Sequence, residues 1–189
     1  DTTSAITSST NYKQDFESII FPPTAWQTPN SSFSWQSIIV DSGSNCLPNK
    51  VTYVDHYHIS QRGDEAFLIS NKVKLGNGPS AINYLTYDYS YSGFSSAHDD
   101  GFRIDISNDC GHSWDSIYGA FGADLATTSY QSSVWFPTCD SWQTDTINLS
   151  SLGYNNDTIM LRFVAINDYG NQFYLDNINI NGDLSLIHI

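Results

Sequence analysis

The chain has 189 residues and carries 20 acidic against 7 basic side chains, a formal net charge of -13. That length fits one large domain with a full core. The charge excludes nucleic acid and anionic membrane surfaces as partners, and suits a hard cation such as calcium. The sequence has no apolar run of about 18 residues, so no membrane insertion is expected.

The opening DTTSAITSSTNY is rich in Ser and Thr, and residues 1–11 read as a linker. The chain is therefore expected to be a piece of a longer exported protein, secreted or held at the cell surface. From there, apolar residues recur with period two between Gly, Asn, Asp, Ser and Pro. Strands are predicted at 12–18, 33–39, 50–57 and 66–69. Two more, at 82–91 and 102–107, flank a polar loop ending in Asp99-Asp100. The series continues at 114–121, 142–149, Thr158–Ile166 and Phe173–Ile180, with a short helical turn at 122–126. Abundant Tyr, Phe and Trp fit this strand-rich pattern. The fold class is all-β: an antiparallel two-sheet β-sandwich of jelly-roll type over residues 12–180. Residues 181–189 read as a linker or an extra edge strand.

Three cysteines are too few for a disulfide scaffold. Cys110 and Cys139 each lie beside a predicted turn, so one pairing joins them and leaves Cys46 over; the other reading is three reduced thiols.

Three carboxylates stand at separated places: Glu17 closing the first strand, Asp100 opening GFRIDIS, and Asp176 inside the last strand. An unpaired buried carboxylate is costly. Calcium, which takes six to eight oxygens, is an economical partner where Lys and Arg are scarce. Alternatively these acids accept backbone hydrogen bonds and never meet. His56 and His58 have the H-x-H spacing of a zinc pair on a strand, but no H-E-x-x-H motif accompanies them. His98-Asp99-Asp100 has the residue types for acid–base work. With no nucleophile motif beside it, the chain is expected not to be an enzyme. Tyr57, Phe94, Trp135 and Tyr169 lie near turns, where flat rings suit the C–H faces of sugars; the alternative is that they are core. Arg62-Gly63-Asp64 reads as a turn. Sequons occur at Asn30, Asn148 and Asn156.

Several segments resemble one family. DFESIIFPPTAWQT is similar to the Phe-Glu…Pro…Trp opening of the cleaved-adhesin and choice-of-anchor J domains, MAM-like jelly-roll modules of secreted bacterial proteases and adhesins. GDEAFLIS, DDGFRIDISNDCGHSW, SWQTDTINLSSL and RFVAINDYGNQFYLDNINI resemble further motifs of that family, so the likeness spans roughly residues 12–180. One departure is Asn71, where the family usually has Pro after the Ser of its GDEAFLIS-like motif. The resemblance implies a jelly roll with structural Ca2+ where the terminal strands meet. Its ligands would be Glu17, Asp100 and Asp176, with Asp41 as a fourth and Asn45 or loop carbonyls completing the shell. It also implies a non-catalytic accessory domain that binds a protein or positions a neighbouring domain of the same polypeptide. The alternative is a carbohydrate-binding module using Tyr57, Trp135 and Tyr169 on a glycan.

Overall fold

The computed structural model describes residues 7–8, 12–29, 33–76 and 82–181. Two strand-rich layers form. The first sheet contains β1 (Thr7–Ser8), β5 (Glu65–Ile69), β6 (Val73–Lys74), β8 (Gly101–Ser107), β9 (Asp115–Phe121) and β11 (Thr158–Ile166). Its order is β1-β6-β11-β8-β9, with β5 also paired to β11. The second sheet contains β2 (Tyr12–Gln14), β3 (Gln36–Val40), β4 (Asn49–Val54), β7 (Tyr84–Tyr91), β10 (Gln143–Asn148) and β12 (Phe173–Ile180). Its order is β10-β7-β12-β4-β3, with β2 also on β12. Every pairing is antiparallel except the short β1–β6 contact. The chain crosses repeatedly between the sheets, as a jelly roll does.

Alternation decides which side chains meet inside. Ile159, Leu161, Phe163 and Ala165 of β11 face Phe102, Ile104 and Ile106 of β8 and the Tyr87, Leu85 and Phe173 side of the opposite layer, all in one buried cluster. Phe102 stacks on Phe173 across the layers, ring centroids 4.6 Å apart. Trp35 meets the Phe173 ring edge-on and donates its indole N–H to the Ala66 carbonyl at 3.1 Å.

A smaller cluster covers the outer face of the second sheet. Val40, Val51 and Tyr174 form its floor, and Trp135 with Trp142 roofs it from the segment between α1 (Gly122–Leu125) and β10. Cys46 and Cys139 form a disulfide that ties this segment to the β3–β4 hairpin. Both readings of the cysteines, a Cys110–Cys139 pair and three reduced thiols, are therefore corrected: Cys110 is the exposed free thiol. Trp135 is also corrected, because its ring is buried against Tyr174 as part of this cover and is not offered to a sugar.

The first strand is shorter than expected. Phe16 adopts a left-handed φ of 56° that ends regular pairing at Gln14 and drops its ring into the core against Trp26. Thr7 and Ser8, expected as linker, pair with β6. The remainder of the expected linker, residues 1–6 and 9–11, lies outside the described residues. So do residues 182–189 of the expected tail and the Asn30 sequon.

Candidate binding surface and cation site

Two places gather polar chemistry. The first surrounds Asp176. Its position on β12 directly opposite Asp88 of β7 sets two carboxylates on one rung. A bulge follows between Asp176 and Asn179, where Asn177 takes a φ of 48°. Asp176 is fully buried; it accepts from the Asn177 N–H at 2.8 Å and from the Asn49 Nδ2 at 2.8 Å. No described Lys, Arg or His forms an ion pair with it. Burial, followed by the charges of Asp88, Glu17 and Asp15, pushes its carboxyl up to about 8 against the pull of the Asn177 N–H. Glu17 reaches this neighbourhood because Phe16 is anchored inward, leaving both flanking acids outside the core.

The charges of Glu17 and Asp15 act on Asp176 together with that of Asp88, which shares its rung. Asp41 is exposed, and Asn45 accepts from the Leu47 N–H within its own turn. Asn49, the first residue of β4, donates to Asp176, and Ser44 of the β3–β4 loop accepts from Asn177 Nδ2. Among the described residues no group of three or more His, Cys, Asp or Glu is arranged to hold a metal. A cation at Asp176 therefore needs carbonyl, amide or water oxygens beside its carboxylates, which calcium accepts readily.

Asp100 does not join this group. Its Oδ1 accepts the N–H groups of Asp168 (2.7 Å) and Gly170 (3.0 Å). Its Oδ2 accepts the Asn171 N–H (3.0 Å) and the Tyr91 hydroxyl (2.9 Å). Four donors use the lone pairs that a metal would need. Asp176 lies three rungs along β12 from Phe173, itself two residues past Asn171, so the two carboxylates serve regions well over ~10 Å apart along the strand. Asp100 is a loop clamp, and its expected role as a metal ligand is replaced by that one.

The clamp builds the second place, one end of the sandwich. Gly170 is needed there: a Cβ would stand 1.9 Å from Asp100 Oδ2. Tyr169, between the clamped residues, is held at φ 60°, a conformation bulky side chains rarely adopt. Its ring is 42% exposed. Neighbouring loops are locked in the same manner. Asn167 Nδ2 donates to the carbonyls of Ile59 and Gln61, and Asn171 Nδ2 to those of Gln131 and Ser133. Buried His56 lies 3.2 Å from Asn167 Oδ1 and 3.5 Å from Asp100 Oδ1. Burial lowers its basicity, opposed by the Asp100 charge. His58 is instead exposed, its Nδ1 2.7 Å from Asp55 Oδ2. The two histidines occupy different environments past the end of β4, so the H-x-H spacing does not make a zinc pair.

Across this end runs a row of rings: Tyr57–Phe94 at 6.0 Å, Phe94–His98 at 5.1 Å and His98–Tyr169 at 5.9 Å. Their planes are inclined by 57°, 83° and 59°, so they form a faceted ridge rather than a flat platform. Arg62 pairs with Asp168 at 3.5 Å beside it, and Gly63 turns at φ 85° with its N–H on the Asn167 carbonyl. Tyr57 and Tyr169 were legible as ring candidates from their turns. The place of His98 in the same ridge was not, since only the fold brings residues 98 and 169 together.

No protein-family model matches the chain, and no curated protein matches it. Solved structures do. The K1 cleaved adhesin domain of Lys-gingipain from Porphyromonas gingivalis W83 is similar with a TM-score of 0.64 at 15% identity, covering 93% of this chain and 99% of that one. The K3 cleaved adhesin domain from the same organism gives 0.59 at 13% identity, covering 91% and 98%. TmCBM61 in complex with β-1,4-galactotriose gives 0.52 at 13% identity, covering 87% and 92%. At such identities the likeness shows the fold, and the expected cleaved-adhesin type of sandwich is the fold observed.

Proposed function

We propose that the chain is a non-catalytic binding domain of a secreted or cell-surface protein, and that it presents the clamped loop end to a protein ligand. The observation that carries this reading is the aromatic ridge ending in Tyr169, displayed on loops that buried Asp100, Asn167 and Asn171 hold rigid. A rigid, half-exposed aromatic surface loses little entropy on binding, and Tyr is a frequent energetic anchor in interfaces. The inclined planes speak against a flat polysaccharide platform. The non-catalytic reading is supported at Asp100, one of the two acids of His98-Asp99-Asp100, which is buried and bonded to four protein donors. The disulfide suits an oxidising compartment outside the cytoplasm.

A carbohydrate ligand is the second reading. One exposed phenol on a fixed turn can stack on a single sugar ring, and a protein of similar fold is solved with a galactotriose. Both readings are tested by screening the chain against immobilised extracellular proteins and glycans, then repeating each hit with Tyr169→Ala. The expected result is a loss of about tenfold or more, with no loss for Ile82→Ala at a distant exposed site. A ligand that binds both variants as tightly as the parent overturns the loop-end site.

The domain is further proposed to hold a structural calcium at Asp176 with Glu17. Asp176 is buried, surrounded by acids and lacks a cationic partner among the described residues, which is the environment a hard cation relieves. Calcium would supply positive charge there, while Asn49 and the Asn177 N–H orient the Asp176 carboxylate. Melting in EDTA against melting in calcium tests this, and an unchanged midpoint overturns it.

A further inference from the structure

Strand β3 ends the second sheet, and among the described residues nothing pairs with its outer edge. Such an edge offers a row of unused backbone donors and acceptors. Most edge strands are guarded by charge, and β9 and β10 carry Asp115 and Asp145. The β3 sequence, Gln-Ser-Ile-Ile-Val, carries none, in a chain of net charge -13. Ile39 is 72% exposed on it. Lys50 stands opposite Ile39 in the ladder, and its Nζ donates to the Ser18 carbonyl. Ile19 and Ile20, which follow Ser18, are 94% and 62% exposed. Among the described residues Ile39 is one of the two most exposed large apolar side chains, and it stands on an uncharged strand with no described partner on its outer edge.

We propose that β3 pairs antiparallel with β3 of a second copy of the chain, about a two-fold axis at Ile39. Face parity limits the choice of register. A two-fold perpendicular to the sheet keeps each side chain on its own face, so opposed residues must share a face. Ile38 and Val40 share the outer face, where Val40 is buried and Ile38 packs on the smaller cluster; Ile39 lies on the other. Centring on Ile39 sets Ile39 against Ile39 and Ile38 against Val40 twice, a run of apolar cross-strand pairs. It also sets Asp41 opposite Ser37, so no carboxylate faces another. Centring on Ile38 would oppose Ile38 with itself but leave Ile39 opposite Ser37 and Val40 opposite Gln36, so the flanking apolar pairs would be lost. The occupant is a second copy because the strand is complementary to itself in this register and sets no acid against an acid in a chain of net charge -13. One short strand makes a small interface, so the dimer is weak and concentration-dependent. Two copies then carry two ligand surfaces on one particle, which raises avidity without a new contact.

Sedimentation equilibrium on the whole chain with Cys110→Ser, from about 10 µM to 1 mM, tests the pairing. The expected mass rises from one chain toward two, and Ile39→Lys, which opposes two charges at the axis, stays at one with an unchanged melting midpoint. Ile39→Cys in the same background is expected to form a disulfide-linked dimer on mild oxidation, while Ser116→Cys on β9 does not. A single-chain mass at every concentration overturns the proposal. So does association that survives Ile39→Lys, or equal cross-linking through position 116.

Discussion

Removing the Asp100 carboxylate strands four donors at once: three backbone N–H groups of residues 168–171 and the Tyr91 hydroxyl. Unsatisfied buried donors cost about 1–3 kcal/mol each, and the losses here are shared by one turn. Asp100→Ala is therefore expected to lower stability by about 3 kcal/mol or more in urea unfolding and to weaken any ligand held by Tyr169. A loss under about 1 kcal/mol would show that the clamp is not what holds the turn. Asp176 behaves in the opposite sense. In EDTA its folded carboxyl keeps a proton up to about pH 8, whereas the unfolded chain releases it near the ordinary value of 3.8. The folded state then binds more protons between those limits, and stability falls as pH rises through the window. His56 opposes this below its ordinary value of 6.5, because burial keeps it neutral while the unfolded chain takes up a proton. Asp176→Asn removes the charge and keeps the Asn177 N–H bond through its one oxygen, while the Asn49 amide turns its own oxygen toward the new NH2 group. It is expected to melt several degrees above the parent at pH 8 in EDTA, to match it near pH 3, and to gain nothing from calcium. A lower midpoint at pH 8 would mean that the Asp176 charge is already compensated. Both acids stood out in the sequence as carboxylates in strands. Their roles did not, because the Asp100 partners are backbone groups 68 to 71 residues away, and the Asp176–Asp88 rung depends on a register that one sequence does not reveal.

At the scale of elements, β7, β8, β11 and β12 were legible because long period-2 runs reflect one buried face. The two-residue strands β1 and β6 were not, since so short a pairing is set by the partner strand and leaves no pattern of its own. The segment from α1 to β10 was the least readable. Its Trp135 sits among Pro and Ser, and it is buried only because the segment folds across the outer face of the second sheet. The disulfide closes 93 residues of sequence separation. Closing a loop of that size stabilises by typically 2–4 kcal/mol. Cys46→Ser or Cys139→Ser is expected to lose about that amount and to shift tryptophan emission to the red as Trp135 and Trp142 meet water. Cys110→Ser is expected to change neither. Equal losses from Cys110→Ser and Cys139→Ser would restore the Cys110–Cys139 pairing inferred from turns.

For the whole molecule, charge and metal must be separated. A net charge of -13 repels itself, so any salt stabilises the folded chain to some degree by screening. A calcium held at Asp176 adds a term with different dependence. A ligand that binds only the folded state contributes about 2.7 kcal/mol at a hundredfold excess over its dissociation constant. For a domain of this size that is a rise in midpoint of about 5–10 °C. Screening responds to ionic strength alone, while site binding distinguishes ions by size and by the ease of shedding water. Magnesium demands near-octahedral geometry and keeps its waters, so a pocket built from Asp176, Glu17 and loop oxygens is expected to favour calcium. Melting in calcium, in magnesium and in sodium chloride at matched ionic strength separates the two effects. Calcium should exceed both others in the parent chain and lose that excess in Glu17→Gln and Asp176→Asn. An equal rise in all three salts would assign the whole effect to screening and leave the acids around Asp176 without a cation.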